Sequence, residues 1–394
     1  MSSTAGTHAA NTPDTGQGRG RARDYRLDFF RGLALMFIFI DHVPDNVAAY
    51  FTLRSFAFCD AAEVFIFISG YTAALAYGPV FDREGVAMGI ARIYRRVWQL
   101  YVAHICLFTI FNAEIAYTMK FYQNPMFSDE LQVGDYLDNM GEAFIRVLLL
   151  QFQPSLLNIL PLYIALLIVL PFFLLCIRRH VLLGLIPSAA LYAAVQVTGW
   201  NMPGFPAGRL WFFDPFAWQF LFAIAASMGF AYARGGVLVR LPRWAPVAAS
   251  IFAVVAAVLS ANWNLHDAVP WIPVLVTLPD AWFEKTLLPP ARVASILALA
   301  IAVGAYIPRD GRFMLSPLGR LAIICGQNSL HVFCLGILMS ALANAVLNVV
   351  GHGLAAQLAA NVAGIAAMIA MGLGLAWFKA GGHMPSLFRA KGTA

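Results

Sequence analysis

Apolar residues in this chain fall into long blocks rather than short alternations, and the blocks recur from end to end at approximately 28–50, 61–78, 97–118, 157–177, 181–199, 215–233, 245–263, 293–307, 321–348 and 354–378. Each is near the roughly 20 residues a helix needs to cross the hydrocarbon of a bilayer. The pattern predicts an all-α, polytopic membrane bundle of about ten transmembrane helices. The eighth block is short and the first is unusually polar, so these two depart most from a plain span.

Composition agrees with that pattern. Of 394 residues, 60% are hydrophobic and only 12% charged, about half the charged share of a soluble domain. The net charge of +6 would suggest nucleic acid in a soluble protein, but its placement says otherwise. If the N-terminus is cytoplasmic, twenty Lys and Arg fall in inside segments and six outside (Arg54, Lys120, Arg146, Arg209, Lys285 and Arg292). This is the positive-inside asymmetry; it predicts both termini in the cytoplasm and no nucleic-acid partner.

Residues 1–24 are rich in Ser, Thr, Gly, Ala and Arg and lack the apolar core of a signal peptide, so they read as a disordered cytoplasmic tail. Residues 25–380 form one integral domain, and 381–394 a second cytoplasmic tail. The five cysteines are scattered without C-x-x-C spacing, which points to structural roles and to no metal site. The segment from Met119 to Ser155 is the one long outer connection, and its FIRVLLLQF stretch has the character of an interfacial amphipathic helix. Trp and Tyr gather at block edges as membrane-interface anchors do, although Trp211, Trp271 and Trp282 also suit a carbohydrate platform.

The first block carries the chemistry. In RLDFFRGLALMFIFIDHVPDN, Asp28, Arg31, Asp41 and His42 lie in or beside an apolar run, where ionisable groups are costly unless they face a bundle interior or wet cavity. Eleven helical steps put Arg31 and His42 on one face about 16 Å apart. His42 has the side chain suited to general-base work near neutral pH. Asp60 and Glu63 open the second block one turn apart, ahead of the small residues Ser69 and Gly70; a Glu there is positioned to pair with His42 and fix its tautomer, as Asp41 is from the neighbouring position. Arg92 and Arg95 form an R-x-x-R pair suited to phosphate, and the same cluster also fits the cytoplasmic Arg excess.

These motifs, R-x10-H at Arg31 and His42, EVFIFISGY from Glu63, and R-x-x-R at Arg92 and Arg95, resemble the membrane-bound acyltransferase-3 superfamily. More closely, RDYRLDFFRGLALMFIFIDHVPDN, DAAEVFIFISGYTAALAYG, LNILPLYI, WFFDPFAWQF and NSLHVFCLG resemble the OpgC family, which succinylates osmoregulated periplasmic glucans. The resemblance covers most of the chain, with Glu63 standing where the wider superfamily usually has Asp. It implies an O-acyltransferase using cytoplasmic succinyl-CoA as co-substrate, with no permanently bound cofactor, and a periplasmic glucan as acceptor. His42 would be the base, Asp41 or Glu63 its orienter, and Arg31, Arg92, Arg95 and Asp28 the acyl-CoA site. A succinyl carboxylate near His42 calls for a cation, and Lys285, Arg292 and Arg209 are the outer candidates, with Trp211 beside the acceptor. Acetyl transfer from acetyl-CoA to another surface polysaccharide is the nearest alternative. A transporter or flippase is the alternative of a different class, against which stands the absence of two repeated halves.

Overall fold

The computed structural model describes residues 24–122, 133–383 and 385–388; the expected N-terminal tail lies almost wholly outside them and the expected C-terminal tail about half outside, and Asp129 and Glu130 of the outer connection also lie outside. Thirteen helices follow in order among the described residues: α1 (Tyr25–Asp41), α2 (Ala61–Arg83), α3 (Val86–Tyr122), α4 (Gly134–Asp138), α5 (Met140–Leu148), α6 (Ile159–Arg179), α7 (Val181–Thr198), α8 (Pro215–Ala233), α9 (Ala245–Ala268), α10 (Pro290–Tyr306), α11 (Pro317–Gln327), α12 (Ser329–Val350) and α13 (Leu354–Lys379). The chain is an all-α polytopic membrane bundle. Eight of these helices are long and apolar enough to cross a bilayer. The expected count of ten is not met on that measure, because α1 and α10, at 17 residues each, fall short of it.

Two expected boundaries change for local reasons. The first helix stops at Asp41 instead of continuing to residue 50. Pro44 lacks the N–H needed to extend it, and Asn46 then turns the chain, its Oδ1 accepting from Ala48 N at 3.1 Å while its Nδ2 donates back to Ile40 O at 2.8 Å. The ninth block is two helices. Asn328 breaks it, its Nδ2 donating to Ile324 O at 3.0 Å and to Gly372 O at 3.3 Å, and its Oδ1 accepting from Lys379 Nζ at 2.7 Å.

Small residues let the central helices approach closely. A Cβ on Gly32 of α1 would lie 1.9 Å from Ala322 O of α11, and one on Gly326 would lie 1.9 Å from Asp28 O. The α2–α8 pair uses the same device: a Cβ on Gly70 would meet Phe222 O at 2.6 Å and one on Gly229 would meet Tyr71 O at 2.1 Å. The small-residue patch at Ser69 and Gly70 thus marks a real helix crossing. Helices α1, α2, α8, α11 and α12 consequently surround the buried centre, while α9 and α13 expose apolar faces to the bilayer.

On the outer connection, α5 buries Ala143 and Val147 but exposes Met140, Phe144, Ile145 and Leu148. That distribution suits a short helix resting on a membrane surface.

Candidate active site

The end of α1 and the start of α2 meet in a cavity of about 280 Å³ lined by Asp41, His42, Arg54, Asp60, Asn158 and Lys285, among others. His42 sits one residue past α1, where its Nδ1 hydrogen-bonds to Ile38 O. A carbonyl can only accept, so Nδ1 carries the proton and Nε2 keeps the lone pair. The imidazole is therefore set up with Nε2 as its basic nitrogen.

The carboxylates expected to orient His42 are engaged elsewhere. Asp41 Oδ1 accepts from Thr52 Oγ1 at 2.6 Å and lies 3.6 Å from Arg54 Nε. Glu63 is fully buried; its Oε1 receives Arg292 Nε at 2.6 Å and its Oε2 accepts from Asp60 N at 2.9 Å. The Asp60 side chain completes the reciprocal capping box by accepting from the Glu63 backbone N–H, and its Oδ1 also accepts from Ala62 N at 2.8 Å. Both expected pairings with His42 are corrected: the orienting group is the Ile38 carbonyl. The D-x-x-E spacing of a capping box was the signal that Glu63 closes a helix end.

Asp60 also gathers cations, with Lys285 Nζ at 2.6 Å and Arg292 Nη2 at 3.1 Å from its Oδ2. Burial alone would raise its pKa, but Lys285 and Arg292 together hold it below the usual carboxylate range. Lys285 reaches the cavity because its loop is tied down: Trp218 Nε1 donates to Lys285 O and Thr286 O, both at 3.2 Å, and Asp214 N donates to Thr286 O at 3.1 Å. The WFFDPFAW run, in which Asp214 caps and Pro215 starts α8, acts through this backbone clamp.

A second cavity, of about 230 Å³, opens around Arg31 and includes Ser69, Thr72, Tyr77, Arg96 and Tyr163. Arg31 Nη2 donates to Thr72 Oγ1 at 2.6 Å. Phe333 lines both cavities, its ring stacked on Phe65 with centroids 6.2 Å apart. The two spaces thus meet at one aromatic side chain, at two levels along α1.

The sequence profile of the OpgC protein family matches residues 23–380. The chain belongs to the OpgC family. Membership supports an O-acyltransferase role, and the matched span takes in every helix from α1 to α13. No curated protein and no solved structure matches the chain.

In this OpgC protein the remaining predicted residues lie as follows. Arg92 is exposed and paired with Glu84 at 2.6 Å, and Arg95 is exposed on the same helix. Neither lines the Arg31 cavity; Arg96 does. The buried stripe of α3 runs through Ile93, Leu100, Leu107, Phe111 and Ile115, and helical geometry puts position 96 beside that stripe and 95 off it. Asp28 is buried at the α1–α11 crossing, with Gln327 Nε2 3.3 Å from its Oδ2, and is not on the cavity wall. Arg292 is spent on Glu63 and Asp60. Arg209 pairs with Asp135 at 3.1 Å and, with Trp211, lines a neighbouring cavity. Arg54, Arg96 and Phe333 are the residues that sequence reasoning did not single out, since their importance comes from what other helices bring beside them.

Proposed function

We propose that this protein is an inner-membrane O-acyltransferase that moves a succinyl group from cytoplasmic succinyl-CoA to hydroxyls of periplasmic glucans. The observation that carries this reading is the pair of cavities along α1, a basic one at Arg31 and Arg96 and one at His42, meeting at Phe333. The Arg excess assigns the Arg31 end to the cytoplasm. Guanidinium groups suit the CoA phosphates. An extended pantetheine arm spans on the order of 15–20 Å, close to the rise of about 16 Å between Arg31 and His42 on a helix. The thioester can then reach His42 without the whole cofactor crossing the bilayer.

In the transfer step His42 Nε2 takes the proton of the acceptor hydroxyl as its oxygen attacks the thioester carbonyl. The tetrahedral intermediate then expels the CoA thiolate, which takes that proton back from the imidazolium. An ester and a free thiol result. Direct transfer within a ternary complex needs no acyl-enzyme.

The test is purified protein with succinyl-CoA and unsubstituted glucan. Glucan-dependent release of free thiol, with one succinyl mass added to the glucan, is the expected result. An acetyl increment from acetyl-CoA alone would favour the acetyltransferase reading, and no thiol release would favour a carrier.

Two expectations concern donor binding. Arg96→Ala raises the KM for the donor about ten-fold, the cost of one charge-assisted phosphate contact, whereas Arg95→Ala stays near wild type; calorimetric titration with CoA checks the order. For the acyl carboxylate, Lys285 and Arg54 are the cations on the His42 cavity. Replacing either with Met lowers the succinyl-to-acetyl transfer ratio about ten-fold, and a ratio unchanged in both variants would move the donor assignment to acetyl-CoA.

A further inference from the structure

Adjoining the His42 cavity is a larger one, of about 500 Å³, which shares Asn158 and Phe212 with it. Its wall is built by two segments held together through their backbones. Phe205 N donates to Gln151 O at 3.0 Å, and the turn from 202 to 211 is closed by Gly204 N to Arg209 O at 2.8 Å and Trp211 N to Met202 O at 3.0 Å. Asn201 Nδ2 donates to Trp211 O at 2.8 Å. The side chains on this wall are therefore carried by a fixed frame.

Three of the side chains lining it each carry a buried polar atom without a hydrogen-bond partner among the described residues: Gln153 Oε1, Asn158 Oδ1 and Trp211 Nε1. Gln153 is oriented by its own amide, whose Nε2 donates to Leu150 O at 2.8 Å. Buried polar atoms left unpaired are unfavourable, and three on the side chains around one cavity mark a place where an incoming molecule gains by pairing them. Two acceptors and one donor on side chains lining one cavity suit hydroxyl groups, each of which both donates and accepts. Phe212, 45% exposed, adds an apolar aromatic face at the junction of the two cavities. The nearby cation, Arg209, is paired with Asp135 at 3.1 Å, which favours a neutral ligand over an anionic one.

We propose that this cavity is the acceptor subsite, holding a neutral pyranose unit of the glucan through Gln153, Asn158 and Trp211. A hydroxyl of the chain then passes Asn158 and Phe212 to reach His42. The identity of the polymer rests on the acyltransferase reading; the site's preference for an uncharged sugar does not.

The experiment measures binding and transfer separately, using unsubstituted periplasmic glucan as probe. Trp211→Phe keeps an aromatic ring and removes the N–H; Asn158→Leu and Gln153→Met keep the approximate volume and remove the acceptors. Each is expected to weaken the calorimetric Kd for glucan about ten-fold, the usual effect of leaving a buried partner unpaired. The Kd for CoA should stay at the wild-type value, and Trp211→Phe should keep the wild-type melting temperature. If wild-type protein transfers acyl groups and all three variants bind glucan normally, the subsite is wrong and the acyltransferase reading stands. If wild-type protein binds glucan, the variants weaken it and no transfer occurs, the subsite stands and the acyltransferase reading falls. Absence of glucan binding by wild-type protein, or equal loss of CoA and glucan affinity in the variants, overturns the proposal.

Discussion

His42→Ala is expected to yield a folded, membrane-inserted protein whose acyl transfer is reduced by roughly two orders of magnitude or more, the scale of a positioned general base. The fold should tolerate the change. His42 is partly buried and follows α1 instead of packing within it, and among the described residues its side-chain hydrogen bond is to Ile38 O. Losing such a bond costs about 1 kcal/mol. His42→Gln is expected to be equally inactive, because an amide has no basic nitrogen to accept the hydroxyl proton. The measurement is glucan-dependent thiol release alongside the melting temperature in detergent. Wild-type-like transfer in either variant would remove His42 from the reaction.

Arg292→Met is expected to cause the largest loss of stability. It strips the cation from Glu63, which is fully buried, and leaves Asp60 with Lys285 as its remaining ion-pair partner. Breaking a buried pair from one side costs about 3–5 kcal/mol, because the other charge stays in place unpaired. Removing both partners avoids that penalty, so Glu63→Leu combined with Arg292→Met should recover much of the melting temperature lost in Arg292→Met alone. The same series separates a structural Glu63 from a catalytic one. On the geometry here, Glu63→Gln lowers stability and activity together, since its carboxylate contacts Arg292 and the Asp60 backbone. A Glu63→Gln protein of normal stability with transfer abolished would give Glu63 a direct part in the chemistry after all.

How legible the site was depended on whether one helix or several define it. Arg31 and His42 could be related to each other because a single helix joins them and its rise is constant. The R-x-x-R spacing says which arginines neighbour each other on α3 but not which face that helix turns inward, and it is Arg96, not Arg92 or Arg95, that lines the Arg31 cavity. That face is set by Ile93, Leu100 and the residues continuing their stripe, packed against α6 and α12. Glu63 carries a local signal besides its place one turn from Asp60, because D-x-x-E ahead of an apolar run is the pattern of a capping box, and the structure shows that box.

Sequence by itself determined the membrane class, the order of the apolar helices and the close crossing at Gly70, because these follow from the length and apolarity of each block and from the size of its residues. It also marked α1 as the helix carrying the chemistry, since charged groups at membrane depth stand out against an apolar background. Only the tertiary structure decided which charges neutralise one another and which remain on a cavity wall. Asp60, Glu63, Lys285 and Arg292 come from segments more than 200 residues apart, and their pairing depends on α10 packing beside the start of α2. The break at Asn328 likewise needed its partner Gly372 on α13. Such contacts have no local signature, because a side chain's role in a membrane bundle depends on which helix lies across from it.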